Sequence, residues 1–149
     1  MNGVSLWQAS SEASPYIGRI LEQAFRNAQA VVAFFTPDEH VIGRHGDVSK
    51  RDDWRVQARP NVFVEAGMAL VTHPDRTVIV VLGDQELPSD LAGRHYVRIR
   101  RGDPAPLLDL ANRLKTAGCD TVTTGTDWLR QERFPDRQNI SRTPGPQVS

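Results

Sequence analysis

An α/β fold, with a parallel sheet covered by helices on both faces, is what this sequence predicts, and three observations predict it. Ala30-Val31-Val32-Ala33-Phe34-Phe35 is an uninterrupted apolar run of strand length. Thr77-Val78-Ile79-Val80-Val81-Leu82 is a second such run. Neither shows the alternation of a half-solvated strand, as expected where both faces of a sheet are covered. The third observation is that each run follows a segment with helical apolar spacing. Strands that alternate with helices run parallel in their sheet.

The elements follow in order. Val4-Ser5-Leu6-Trp7 has the pattern of a short strand. Ser14 is a good N-cap, and Pro15 suits the first position of a helix. Ile17, Ile20, Leu21, Ala24 and Phe25 then mark one buried helical face, with Asn27 as the stop. After the first apolar run, Thr36-Pro37-Asp38 ends the strand, because proline cannot donate to a ladder and aspartate favours turns. Residues 40–60 are rich in charge and poor in periodicity, and so long a stretch without structure reads as a functional loop. Asn61 is a suitable cap for a second helix over residues 62–71, nearly all apolar, with Glu65 as its one charge.

Gly83-Asp84 closes the second run, and residues 88–93 read as a turn or partial helix. His95-Tyr96-Val97-Arg98-Ile99 alternates like an edge strand. Pro104 opens a last helix through Leu107, Leu108, Leu110, Ala111 and Leu114, which Gly118 stops. Residues 1–119 thus form one expected domain. Residues 120–149 read as a polar tail, disordered beyond Pro135. Ligands of such sheets bind at the carboxyl ends of the strands, here Thr36-Pro37-Asp38 and the long loop.

Composition narrows the function. The chain has 149 residues, with 18 Lys plus Arg against 18 Asp plus Glu. Zero net charge argues against a general binder of nucleic acid or anionic membranes. No apolar run approaches the roughly 20 residues that span a bilayer, and no basic-then-apolar leader opens the chain, so a cytoplasmic protein is expected. Cys119 is the single cysteine, which excludes an internal disulfide framework and a thiolate-rich zinc site.

Glu65 is the most informative side chain. One turn inside a helix, it feels the positive end of the dipole, which favours the ionised carboxylate, whereas burial beside Phe63 and Met68 would disfavour it. An ionised carboxylate stabilises or attacks an oxocarbenium-like centre, and a protonated one donates, so either form serves cleavage of a glycosidic bond. The plainer reading is a helix residue paired with a nearby arginine. Arg59 contacts a phosphate or pairs with Glu65. Asp38 binds ribose hydroxyls or shapes its turn. Trp54 stacks on a base or tucks against the body. His40, His45 and Asp47 do not have metal-ligand spacing, so no metal is expected. Arg98, Arg100 and Arg101 read as a solvated face or an assembly surface. No phosphate-binding Gly-x-x-x-x-Gly-Lys-Ser/Thr loop accompanies Asp90-Leu91-Ala92-Gly93, which excludes a GTPase switch.

Ala58-Arg59-Pro60-Asn61-Val62-Phe63-Val64-Glu65-Ala66-Gly67 resembles the ARxNVxxExG segment of TIR-like nucleotide-binding domains in bacterial antiphage effectors, those of the cyclic-nucleotide-activated Pycsar and CBASS systems. Phe35-Thr36-Pro37-Asp38 and Leu87-Pro88-Ser89-Asp90-Leu91-Ala92-Gly93 match further pieces in order, so the resemblance runs from about residue 14 to 118. It implies a flavodoxin-like TIR fold and cleavage of the nicotinamide–ribose bond of NAD+, with NAD+ as substrate rather than cofactor. It makes Glu65 the catalytic carboxylate, with Asp38, Trp54, Arg59 and Asn61 expected along the nucleotide site. It also implies activation by assembly into homo-oligomers or filaments, a cyclic-nucleotide sensor as partner, and NAD+ depletion as the outcome. The family opens with a strand–helix unit ahead of the Val4–Trp7 strand, central in the strand order 2-1-3-4-5, and the expectation is a fold lacking that unit. Two other readings stand beside this one. One is a hydrolase similar to nucleoside deoxyribosyltransferases, whose Gly-Thr-x-x-Glu approach to the glutamate is absent here. The other is a non-catalytic nucleotide-binding domain that signals by oligomerising.

Overall fold

The computed structural model describes residues 17–92, 95–130 and 134. The elements run α1 (Ile17–Asn27), β1 (Val31–Phe35), β2 (Glu39–Ile42), β3 (Trp54–Gln57), α2 (Pro60–Thr72), β4 (Thr77–Leu82), α3 (Ser89–Ala92), β5 (Val97–Ile99) and α4 (Ala105–Thr116). The expected strand at Val4-Ser5-Leu6-Trp7, the Ser14–Pro15 helix start and the segment beyond Pro135 lie outside the described residues.

Among the described residues, three strands form the main sheet, in the order β1-β4-β5. All are parallel, with Val31↔Thr77 through Phe35↔Val81 on one side of β4 and Val80↔Val97 through Leu82↔Ile99 on the other. The fold is therefore α/β, with a parallel sheet flanked by helices, consistent with the flavodoxin-like TIR architecture.

Strand β4 explains why the apolar runs do not alternate. Its side chains point to both faces in turn, and both faces are dry. Ile79 and Val81 join Phe35, Ala58, Ala66 and Leu70 in the core beneath α2. Val78 and Val80 join Val97, Ile99 and Leu107 in the core beneath α4. Helix α1 packs against α2. Phe35 is fully buried and meets Phe63 edge to face, with ring centroids 5.0 Å apart. Burying a side chain of this size stabilises the fold by roughly 1.5–3 kcal/mol. Trp128 and Phe134, which the sequence assigns to the tail, are partly buried against the α4 core.

Two features differ from expectation. The stretch read as a featureless loop contains a hairpin, β2 pairing antiparallel with β3 from Glu39↔Gln57 to Ile42↔Trp54, with a short 3-10 turn at Arg51–Asp53. Four-residue strands hold too few alternations to register as a period, and the charges between them mask the pattern. The second helix begins at Pro60, with Arg59 as its N-cap and no capping side chain, so Asn61 is its second residue instead of its cap. Proline's fixed φ and missing N–H suit the first helical turn, and this moves the boundary ahead of Asn61. The α4 stop is as expected. Gly118 takes φ +88°, a left-handed conformation that glycine adopts without cost, and its N–H donates to the Lys115 carbonyl at 2.9 Å.

Candidate functional site

The carboxyl ends of β1 and β4 and the amino end of α2 meet at one edge of the sheet, because β1 leads into α2 and α2 returns to a parallel strand. Beyond Phe35 the chain turns at Thr36-Pro37-Asp38, where the Asp38 N–H donates to the Thr36 carbonyl at 2.9 Å. The Thr36 hydroxyl donates to Asp38 Oδ2 at 2.5 Å. The chain leaves through the hairpin and returns at Ala58, which is fully buried. That buried anchor sets the next residue beside the turn, and Arg59 Nε lies 3.5 Å from Asp38 Oδ2. Sequence reasoning offered Arg59 a phosphate or Glu65 as partner. Among the described residues its ion-pair partner is Asp38.

Helix α2 starts at this point with no acidic residue in its first turn and no side-chain cap. The positive end of its dipole is thus open beside the guanidinium of Arg59, a combination that favours an anionic group. Asn61 is exposed on that first turn. Glu65, the sixth residue of the helix, is exposed as well. Of the two environments the sequence left open for it, the structure shows no burial beside Phe63 and Met68, because positions 66, 69 and 70 are the ones that face the core. No hydrogen bond or ion pair among the described residues engages its carboxylate. Helical geometry places it about 7 Å along the axis from the start of α2, at roughly 1.5 Å per residue.

Trp54 lies apart from this group. It begins β3 opposite Ile42, at the far end of the hairpin from the Glu39↔Gln57 base, and three residues of strand put about 10 Å between the two ends. Its indole N–H donates to the Val48 carbonyl at 3.1 Å. The loop it closes is organised by Asp47, whose Oδ1 accepts from the Ser49 N–H at 2.9 Å and from the Ser49 hydroxyl at 2.6 Å. These bonds from the Ser49 side chain and backbone hold the Asp47 carboxyl below the usual aspartate range. Among the described residues, no group of three or more His, Cys, Asp or Glu side chains could hold a metal ion.

Two further polar residues hold this edge, Thr36 of the strand-ending turn and Gln85, which the sequence reading did not single out. Thr36 fixes the Asp38 carboxylate. Gln85, 8% exposed, joins the ends of two strands, its Nε2 donating to the Phe35 carbonyl at 2.7 Å and to the Leu82 carbonyl at 3.0 Å. Its Oε1 is buried with no hydrogen-bond partner among the described residues. A glutamine after a strand carries no spacing signal, so only the fold reveals Gln85. Leu87 and Leu91 of the Leu-Pro-Ser-Asp-Leu-Ala-Gly segment pack against the core beneath α2. The basic stretch near residue 100 is partly internal. Arg98 donates to the Gly83 carbonyl at 2.8 Å and stacks 5.2 Å over the Tyr96 ring, while Arg100 pairs with Asp84 at 2.7 Å.

Residues 2–101 match the family model described as CAP12/Pycsar effector protein, TIR domain. No curated protein and no solved structure matches the chain significantly.

Proposed function

Because the chain belongs to the family of CAP12/Pycsar effector TIR domains, we propose that it hydrolyses NAD+ at the nicotinamide–ribose bond, with Glu65 as the catalytic carboxylate. The observation that carries this reading is the pairing of an exposed Glu65, unengaged among the described residues, with an uncapped helix start and Arg59. The guanidinium and the helix amino end attract the diphosphate of the substrate, and Asn61 adds a polar contact on the same turn. Asp38, oriented by Thr36, accepts hydrogen bonds from a ribose. Trp54 offers an aromatic surface at the hairpin end, where a base stacks.

The chemistry asks little of a general acid. Nicotinamide is cationic in NAD+, so when its bond to C1′ breaks it takes the bonding pair and leaves neutral. Positive charge then develops on the ribose ring, and the Glu65 carboxylate stabilises it. Water adds to C1′ and loses a proton, giving nicotinamide, ADP-ribose and H+. The proposal includes assembly of several copies, control by a partner that senses a cyclic nucleotide, a cytoplasmic setting, and loss of cellular NAD+ as the antiphage effect.

The test is release of nicotinamide from NAD+ by the purified chain at high protein concentration, with Glu65→Gln in parallel. The substitution keeps size and hydrogen bonding but removes the charge, and a drop of about 100-fold or more in turnover is expected. Equal turnover by both proteins overturns the role of Glu65. A nucleotide that binds without release of nicotinamide in any assembled state favours the non-catalytic reading.

A further inference from the structure

We propose that Gln85 is a positioning residue for the carboxyl edge of the sheet, fixing the turn that carries Asp38 and, through it, Arg59. Its effect on substrate rests on the proposed hydrolysis of NAD+, whereas its hold on the turn does not. The two strands that it joins run out of ladder at this point. The last registered pair of β1 and β4 is Phe35↔Val81. Past Leu82 the chain turns toward β5. Gly83 takes φ +69°, in the left-handed region that favours glycine, and donates its N–H to the Ile99 carbonyl at 2.9 Å. The Gln85 side chain takes over where the ladder stops. One carboxamide nitrogen serves both strand ends, donating to the Phe35 carbonyl at 2.7 Å and to the Leu82 carbonyl at 3.0 Å.

These bonds form in a dry place, where each is stronger than in water. Both Nε2 protons are used, which fixes the plane of the amide and leaves Oε1 buried with no partner among the described residues. An unpaired buried acceptor is unfavourable, so what this glutamine contributes lies in its N–H groups and not in its packing. The turn that it holds is built from local bonds. Pro37 has no N–H to give, and the Thr36 carbonyl and hydroxyl both bond to Asp38. The turn is thus a small closed unit, tied to β4 at the Phe35 carbonyl. On its far side, Asp38 meets Arg59. Gln85 is braced in turn from β5, because Arg98 donates to the Gly83 carbonyl and stacks over Tyr96. A line of bonds therefore crosses the ends of β5, β4 and β1 and reaches the start of α2.

NMR of the full chain without nucleotide tests the turn, and nicotinamide release tests the consequence. Gln85→Met keeps the length of the side chain and removes both donors. The Asp38 amide and Arg59 Nε resonances are expected to move in this variant. KM for NAD+ should rise about tenfold with kcat changed less than about threefold, because Asp38 holds the ribose equally before and during bond cleavage. Gln29 supplies the control. Its Nε2 also donates to a backbone carbonyl, that of Ala117 at 2.9 Å, just ahead of the amino end of β1. Gln29→Met loses a comparable bond and should leave both resonances and KM as they are. Native resonances in Gln85→Met overturn the proposal and reduce Gln85 to a cap on two carbonyls. Displaced resonances with an unchanged KM in an active chain overturn it as well. A chain that releases no nicotinamide defeats the NAD+ reading instead, and the resonances still decide the role of Gln85. The unaltered chain gives a measurement free of any folding defect. The Gln85 side-chain N–H protons should exchange at least about 100-fold more slowly than those of exposed Gln23, and equal rates overturn the proposal.

Discussion

Arg59 and Asp38 are separated by 21 positions in the chain, yet their charged groups lie 3.5 Å apart because the intervening hairpin folds back on its own start. Arg59 is 68% exposed, and an ion pair in water contributes about 0–1 kcal/mol, so its worth lies in orientation more than in stability. Arg59→Ala is expected to lower unfolding free energy by less than about 1 kcal/mol in urea titration. Under the proposed function the same variant raises KM for NAD+ with a smaller effect on kcat. A stability loss well beyond that range with unchanged KM makes the pair structural instead. The individual site residues were legible from sequence to different degrees. Glu65 stands out as the one charge in an apolar helix, and Asn61 follows from the segment around it. The partner of Arg59 was not legible, because it depends on a hairpin closure that no local pattern encodes. The exposure of Glu65 was not legible either, since a nearly all-apolar helix does not reveal which of its sides is covered.

At the scale of elements, sequence reading succeeded where one face or both are continuously dry. Strand β4 was read at its observed bounds, Thr77–Leu82, and α4 was read with its glycine stop. It failed on β2 and β3, whose four residues each depend on pairing with one another. The loop joining these two strands has its own pH dependence. The folded-state Asp47 carboxyl titrates below its ordinary value because Ser49 donates to it twice. A carboxylate depressed in this way contributes stability above its unfolded pKa and loses it as pH falls through the folded value. The loop should therefore hold at neutral pH and loosen in acid, below about pH 4. The Ser49 amide resonance reports this directly. Its shift should titrate in the native chain and lose the transition in Asp47→Asn, and an invariant shift from pH 6 to pH 2 contradicts the assignment.

At the scale of the whole molecule, the described residues build two cores that share one strand. Ile79 belongs to the core beneath α2 and Ile99 to the core beneath α4, and β4 backs both. Each is 2% exposed, so Ile79→Ala or Ile99→Ala should cost about 2–5 kcal/mol. Since β4 joins the two cores, either substitution is expected to shift a single unfolding transition seen alike by far-ultraviolet dichroism and tryptophan fluorescence. Two separated transitions show instead that the two faces melt independently. The hairpin stands outside both cores, and its base has a different kind of consequence. Glu39 and Gln57 face each other as a cross-strand pair, so the chain departs and returns through points about 5 Å apart. Everything between them is an appendage on a fixed mounting, and doubling the length of a flexible loop there costs only about 0.6 kcal/mol. Residues 43–53 can thus be lengthened, shortened or replaced over evolutionary time without displacing Phe35 or Ala58. The loop of the hairpin is an interchangeable fitting, while the strand end and helix start on which it is mounted stay the same.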